Sequence, residues 1–307
     1  MRRLDQSGWD RSRRFLMTQA RALERTLFEH RFENGNPATV LAALDVYRNE
    51  DGGFGHGLEP DVRTPTSSAL ATALGLQILH ELKTSPDHPM VRDAVGYLIS
   101  SLDRETLVWR VVPLDANRYP HAPWWHDDGS SLGDTFDGFR IVPRALIVAL
   151  LHHHREIVPP ELLSSLTEDT LSAIQRVRVL GQGGGSDLEY AQALAKIQDL
   201  PQRDTLVSRV RDAVEQAVVR DPEAWTTYCI TPLRAVSSPD AIGADRVTGI
   251  LERHLSFVIE SQTAEGTWDP TWSWFGQYPE SWKAAKQAWR GILTLEILTS
   301  LRAFGRA

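Results

Sequence analysis

Cysteine is almost absent from this 307-residue chain, in which Cys229 is the only one. An intramolecular disulfide and a cysteine-rich zinc or iron–sulfur site are therefore excluded. A single thiol is typical of a protein in a reducing compartment, so we expect a cytoplasmic location. We expect neither a signal peptide nor a transmembrane segment, because the sequence has no run of about 18 apolar residues.

A strong charge of one sign is also lacking. Lys and Arg number 33, Asp and Glu number 40, and the two signs are intermixed to a net charge of -7. Since no basic stripe results, nucleic acid is not expected as a partner. The glycine-rich segment 181–185 lacks the Lys-Ser/Thr of a phosphate loop, which argues against nucleotide binding.

Helical periodicity dominates the sequence. The apolar residues Phe15, Leu16, Ala20, Leu23 and Leu27 share one face of a predicted first helix. Further helices are predicted at 38–47, 67–82, 89–102, 142–154, 160–180, 187–198, 205–220, 246–261 and 283–304. Segment 103–139 is broken by prolines and glycines, and a loop of that length is more often functional than not. No linker interrupts the pattern, so we expect one domain over residues 1–307.

Two short segments repeat the same spacing of a long polar residue, a glycine and an aromatic. Residues 262–268 read QTAEGTW and residues 48–54 read RNEDGGF, each between two predicted helices. Gly52 and Gly266 permit a tight turn, after which the aromatic can fold back onto the preceding helix. Arg48 and Gln262 are expected to donate to the unpaired carbonyls there. Helix pairs of this kind stack because none covers its own apolar face.

The QxxxGxW segment resembles the repeat of squalene–hopene cyclases and other terpenoid cyclases, which protein prenyltransferase β-subunits carry in degenerate form. Residues 51–55 (DGGFG) look like the corresponding turn. More closely, the chain resembles a group of short bacterial and fungal proteins with this repeat. The resemblance implies an all-α (α/α) toroid of about five to six helix pairs around an aromatic-lined central cavity.

The catalytic residues of those families do not carry over. The sequence has no Asp-x-Asp-Asp motif, and the nearest acidic pairs, Asp127-Asp128 and Asp134-x-x-Asp137, differ in spacing. The sequence around Cys229 is unlike that of the zinc-binding cysteine of prenyltransferases. Candidate site residues must therefore come from the chemistry of this chain's own loops.

The first candidate loop follows the first glycine turn and holds His56, Glu59, Asp61 and Arg63. A carboxylic acid in an apolar cavity has a raised pKa and can act as a general acid. We therefore predict Asp61 and Glu59 as the preferred proton donors, with His56 and Arg63 as substrate-binding residues. Two alternatives stay open: His56 and the two carboxylates share a metal ion, or the carboxylates cap the next helix or pair with Arg63.

The second candidate loop contains Trp124, Trp125, His126, Asp127 and Asp128. Adjacent tryptophans beside acids in a proline-rich loop suit the entrance of a cavity, where they can stack on an apolar ligand. The tryptophans and His126 are predicted to bind substrate, and the two aspartates are reserve proton donors. The alternative is a lid whose tryptophans fill the core. Two isolated histidines are too unspecific to predict a metal site.

The third candidate segment, 268–278, holds Asp269, Trp272 and Trp274. Ring faces of this density can stabilise carbocations on an isoprenoid chain, and they suit sugar stacking equally well. Asp269 is a further acid candidate or a turn residue, and the two tryptophans are predicted to bind substrate.

Together these features favour an enzyme that acts on an apolar, isoprenoid-like small molecule by acid-initiated cyclisation or rearrangement. One alternative is a carbohydrate hydrolase or lyase on an (α/α) barrel, because such enzymes use paired carboxylates and tryptophan platforms. Another is a non-catalytic binding or scaffold protein. The sequence predicts no particular cofactor and no particular oligomeric state.

Overall fold

The computed structural model describes residues 2–181 and 185–307, so the glycine-rich segment 181–185 lies partly outside the described residues. Regular structure within these ranges is helical, with short 3-10 turns and isolated bridges but no extended strand. The thirteen α-helices of the described residues are α1 Gln6–Thr18, α2 Ala22–Glu33, α3 Pro37–Asp45, α4 Ala69–Glu81, α5 Pro89–Ser100, α6 Ser131–Thr135, α7 Arg144–His153, α8 Pro160–Arg176, α9 Ser186–Ala195, α10 Arg203–Ala217, α11 Pro232–Ala235, α12 Thr248–Glu260 and α13 Pro279–Ala303. The predicted all-α class is confirmed.

The first predicted helix was wrong in one respect, because the structure divides it into α1 and α2. Gln19 leaves the helical region at φ -130°, and Arg21 is extended at φ -60° and ψ 155°. The apolar spacing runs through this break undisturbed, since Phe15, Leu23 and Leu27 are all buried. The spacing of the apolar residues therefore predicted the buried face correctly but did not predict the break in the helical backbone.

The chain forms two compact units. The terminal unit comprises Met1–Ala43 and Arg211–Ala307, and the middle unit comprises Leu44–Val210. In the middle unit α7 is the central helix, with α4, α8 and α9 packed against it. Consecutive residues of α7 are buried on every face, which explains why its sequence is apolar from Ala145 to Leu151. In the terminal unit α13 packs on α1 and α2. One domain over residues 1–307 stays a prediction.

Each unit contains one of the two glycine turns, and the turns have the same backbone hydrogen bonds. In the first turn Gly52 N donates to Asn49 O at 3.1 Å, and in the second Gly266 N donates to Thr263 O at 2.9 Å. Both glycines have φ +84°. The aromatic residue after each glycine is buried, and its amide donates to a threonine Oγ1 on a later helix of the same unit. The glycine hydrogen bonds within each turn span only three positions, which explains why the pattern can be recognised in the sequence.

The side chains of the turns follow the prediction only in part. Trp268 folds back as predicted, since its Nε1 donates to Val258 O in the last turn of α12 at 2.8 Å. Arg48 and Gln262 do not donate to carbonyls of the preceding helix. Arg48 pairs with Asp93 on α5 at 2.9 Å, and Gln262 donates to Gly8 O on α1 at 3.0 Å. The polar residues therefore join each turn to a neighbouring helix, because the glycine brings that helix within reach.

Candidate active site

The first candidate loop, residues 55–66 of the middle unit, closes on itself. A Cβ atom at Gly55 would lie 2.4 Å from Pro65 O, so only glycine lets the two ends of the loop meet. His56 and Gly57 adopt positive φ values of 53° and 72° and turn the chain back. The closed loop buries Glu59 to 8% exposure and Asp61 to 2%.

A hydrogen-bond network anchors the base of this loop. Asn49 Nδ2 donates to Pro65 O at 2.9 Å and to Ser67 Oγ at 2.8 Å, and Ser67 Oγ donates to Asp51 Oδ1 at 2.7 Å. His56 Nε2 lies 2.8 Å from Asn49 Oδ1 and must donate to it, since a carbonyl oxygen only accepts. The exposed His56 ring is thus bound by the loop's anchor.

The second candidate loop pairs with the first. Val62 and His121 form an antiparallel bridge. Ala122 N donates to Asp61 O at 2.8 Å, and Arg63 N donates to Pro120 O at 3.0 Å. The structure therefore brings two of the three predicted groups of residues together, although about sixty positions separate them in sequence.

His121 was not selected from the sequence, yet it is the most buried polar residue of the second loop, at 2% exposure. Its Nδ1 lies 2.6 Å from Tyr119 O and donates to that carbonyl, and its Nε2 forms a hydrogen bond of 3.1 Å with His126 Nδ1. The two rings stack with centroids 5.3 Å apart. The sequence feature that could have identified His121 is its place in a proline-rich loop, five positions before His126.

A crevice of about 220 Å³, which includes space open to solvent, lies against the first loop. Glu59 is the one carboxylate among its lining residues, the hydroxyl residues are Thr64, Thr66 and Ser68, and the apolar walls are Leu58, Val62, Leu70, Ala71 and Val112. The Arg63 guanidinium lies over Gly57, another lining residue, since a Cβ there would be 3.1 Å from Arg63 Nη1. The part of this space that a water molecule can occupy is about 10 Å³, so the crevice is narrow.

The other predicted residues of the second loop have structural partners. Trp125 is buried and stacks on Phe136 with centroids 5.4 Å apart, while Trp124 is half-buried. Asp127 is ion-paired with Arg110. Asp128 is exposed, and hydrogen bonds from the Ser131 side chain and backbone lower the pKa of its carboxyl group. A lowered pKa favours a turn-forming carboxylate over a proton donor.

The third group, Asp269, Trp272 and Trp274, belongs to the terminal unit and is described with it. Asp269 forms ion pairs with Lys286 at 2.8 Å and with Arg290 at 2.9 Å. Trp272 packs edge-on against Trp289 with centroids 5.0 Å apart. Trp274 has no exposed surface, and it packs against Tyr278 and Trp282. These contacts make the aromatic segment a packed cluster held to α13.

Among the described residues no group of three histidine, cysteine or acidic side chains is arranged to hold a metal ion. In the same part of the chain no helix is both long and apolar enough to cross a membrane.

Neither family models nor the sequences of curated proteins match the chain. Its structure is similar to that of a type II terpene cyclase from Scytonema, MstE, in complex with its substrate geranylgeranyl dihydroxybenzoate. The TM-score is 0.50 at 11% identity, and the similarity covers 95% of this chain and 87% of that one. The fold is terpenoid-cyclase-like. The fold class predicted from the sequence is thereby confirmed, whereas identity this low says nothing about activity.

Proposed function

We propose that this terpenoid-cyclase-like protein is an enzyme that protonates an apolar, isoprenoid-like molecule and so starts its cyclisation or rearrangement. The observation that carries the proposal is the position of Glu59, a carboxyl group at 8% exposure that lines a crevice with apolar walls. Apolar surroundings disfavour the charged form of a carboxyl group in general, and the uncharged form is the one that can donate a proton.

The proposed step begins with the carboxyl proton of Glu59. The O–H bond breaks, a C–H bond forms at one carbon of a substrate double bond, and the other carbon becomes cationic. A second double bond of the same molecule attacks the cation and closes a ring. A water molecule takes a proton from a neighbouring carbon and so ends the reaction, and solvent returns a proton to the Glu59 carboxylate. The product is an isomer of the substrate, so neither an oxidant nor a co-substrate is required.

Asp61 is the second proposed acid. Its side chain is 2% exposed, and its carbonyl accepts a hydrogen bond from Ala122 of the second loop. His121 and His126 hold that second loop in shape through their mutual hydrogen bond. Asp61 therefore lies where the two loops are joined. We propose that it is either the reserve proton donor or a residue that positions Glu59.

Arg63 is proposed to bind the polar end of the substrate, because its guanidinium lies over Gly57 beside the crevice. Trp124, which is half-buried in the adjoining loop, is proposed to contact the apolar chain. His56 supports the site from outside by its hydrogen bond to Asn49. For Asp127, Asp128 and Asp269 the ion pairs and turn contacts favour structural roles.

The test is incubation with linear isoprenoids in D2O, followed by mass spectrometry of the extracted products. The substrates are squalene, geranylgeraniol, geranylgeranyl diphosphate and geranylgeranyl dihydroxybenzoate. We expect a product isomeric with its substrate that gains one deuteron from solvent, and we expect Glu59→Gln to abolish it. Glu105→Gln, which makes the same chemical change at an exposed residue of the middle unit, is the matched control.

Three results would contradict the proposal. Turnover that persists in both Glu59→Gln and Asp61→Asn would place the acid elsewhere. Cleavage of oligosaccharides by the wild-type protein would favour the hydrolase alternative. Tight binding of an isoprenoid without conversion would identify a binding protein.

A further inference from the structure

Three histidine rings meet where two helices of the middle unit end. His80 is in the last turn of α4, His153 is the last residue of α7, and His154 follows it. The rings of His80 and His153 stack with centroids 3.8 Å apart and planes 18° apart. The ring of His154 meets His80 edge-on at 6.1 Å. We call these residues the histidine cluster.

His154 is the buried member of the cluster, at 3% exposure. Neither of its ring nitrogens has a hydrogen-bond partner. A neutral imidazole already buries one N–H donor and one acceptor there, and protonation would add a second donor and a full charge. Because buried charges without partners are strongly disfavoured, a protonated His154 would have to leave its position.

The ring geometry argues against a metal site. Stacked rings hold their nitrogen lone pairs in two nearly parallel planes, so those of His80 and His153 do not converge on one ion. No three-ligand group of the described residues includes them. The chemistry available to the cluster is therefore protonation.

The surrounding charges do little to favour a protonated cluster. Glu156 is the one acid that acts to raise the pKa of His154, whereas burial and His80 lower it. Burial, then His80, His154 and His152 lower the pKa of His153 to about 4, and burial lowers the pKa of His80. Four charged groups on the elements around the cluster are ion-paired elsewhere: Arg155 with Asp199, Arg92 with Asp87, Asp93 with Arg48, and Asp169 with Arg144. His152 is hydrogen-bonded to Thr167 on α8, and Asp187 on α9 accepts a hydrogen bond from Gly181 N. In the sequence, Glu81 and Lys83 lie close after His80.

We propose that the histidine cluster is a pH-sensitive latch that holds the end of α4 against the end of α7 while its rings are neutral. The first turn of α4 supplies Leu70 and Ala71 to the walls of the crevice, and Thr72 accepts the amide of Phe54. A helix of 13 residues is a rigid rod about 20 Å long. Release of its last turn therefore displaces its first turn as well. Control of the crevice by this latch rests on the proposed function, whereas the latch itself does not.

Hydrogen exchange of the wild-type protein at pH 7.5 and pH 5.5, corrected for the intrinsic rate, tests the latch. We expect amides of residues 69–82 to lose at least about tenfold of their protection at the lower pH, which is the factor that one pKa unit of one histidine produces. Amides of α8 should change less. His154→Phe keeps a buried ring that cannot titrate, so it should remove most of the loss, whereas His80→Phe and His153→Phe should each remove a smaller part. His88→Asn is the matched control, because it removes a histidine at the start of α5 and keeps a good helix cap.

A loss of protection in His154→Phe as large as that of the wild-type protein would overturn the latch, and so would full protection of the wild-type protein at pH 5.5. If the His154→Phe variant does not fold, the imidazole signals of the wild-type protein in an NMR titration test the proposal instead. We expect the signals of His153 and His154 to titrate below the ordinary pKa of about 6.5, and titration at that value would overturn the proposal. None of these measurements uses turnover, so a failed latch and a failed enzyme assignment give different results.

Discussion

Gly52 and Gly266 occupy the same place in two turns that lie 214 positions apart, and both have φ +84°. A Cβ atom at Gly52 would lie 2.7 Å from Asp93 O on α5, and one at Gly266 would lie 2.5 Å from the carbonyl carbon of Arg11 on α1. In each turn the backbone of a neighbouring helix occupies the space that a side chain would need. The two glycines are therefore required by packing as well as by their dihedral angles.

We expect Gly52→Ala and Gly266→Ala each to lower the free energy of unfolding by about 2–4 kcal/mol, as the sum of left-handed strain and overpacking. Chemical denaturation measures the change. Gly276→Ala is the control, since Gly276 has the same φ of +84° with nothing within 4 Å of a Cβ. It should cost only the strain of about 1–2 kcal/mol. Equal losses in all three variants would show that the helix contact is unimportant.

Thr72 and Thr294 have equivalent roles as acceptors for the amides of the turn aromatics. Thr72 Oγ1 accepts from Phe54 N at 3.0 Å, and Thr294 Oγ1 accepts from Trp268 N at 3.4 Å. Replacing either by Val keeps the shape and leaves a buried amide unpaired, which should cost about 1–3 kcal/mol. The shorter bond predicts the larger loss for Thr72→Val.

Thermal unfolding of the two threonine variants checks this prediction, with Thr299→Val on α13 as the control. Thr299 Oγ1 only donates to Leu295 O of its own helix, so its loss orphans no buried donor. A change within about 0.5 kcal/mol is expected for the control. If Thr72→Val were as mild as Thr299→Val, the bond to Phe54 would contribute nothing to the turn.

Asp269→Asn separates structure from chemistry in the aromatic segment. The carboxylate pairs with Lys286 and Arg290 and is 39% exposed, so the loss of charge should cost at most about 1 kcal/mol. We expect unchanged turnover in the isoprenoid assay, and we expect Lys286→Gln to match the loss of stability. Abolished turnover at unchanged stability would instead place Asp269 in the reaction.

His254 makes stability depend on pH. It is 3% exposed, its Nδ1 accepts from Leu233 N at 3.3 Å, and burial lowers its pKa to about 4. Because this folded-state pKa lies below the unfolded value of about 6.5, the native state binds fewer protons. Its contribution to stability is complete above pH 6.5 and is lost progressively as the pH falls toward 4.

Urea denaturation between pH 7.5 and pH 4.5 measures this loss, which for His254 alone should reach roughly 3 kcal/mol. His254→Asn keeps an acceptor near the Nδ1 position and cannot titrate, so its stability should vary less over the same range. A variant that follows the wild-type pH dependence throughout would show that His254 is not a source of it.

Local signals in the sequence determined the long helices, whereas the short helices α6 and α11 lie in segments for which no helix was predicted. Pro89 and Pro160 begin α5 and α8 where the sequence predicts, because proline suits the first helical position and apolar spacing reports the buried face. Gly52 and Gly266 were likewise identifiable, since a tight turn between two helices needs a residue that tolerates positive φ. These properties depend on neighbours a few positions away, so they can be predicted from the sequence.

Only the tertiary structure decided which of the predicted residues meet. The backbone bond between Ala122 and Asp61 joins two loops that are distant in sequence, and every amide or carbonyl in either loop could in principle have made it. The same is true of the contact between His154 and His80, whose rings meet edge-on although they lie on segments far apart in sequence. Sequence periodicity describes what a segment does alone, whereas these contacts depend on the packing of segments that fold from different parts of the chain.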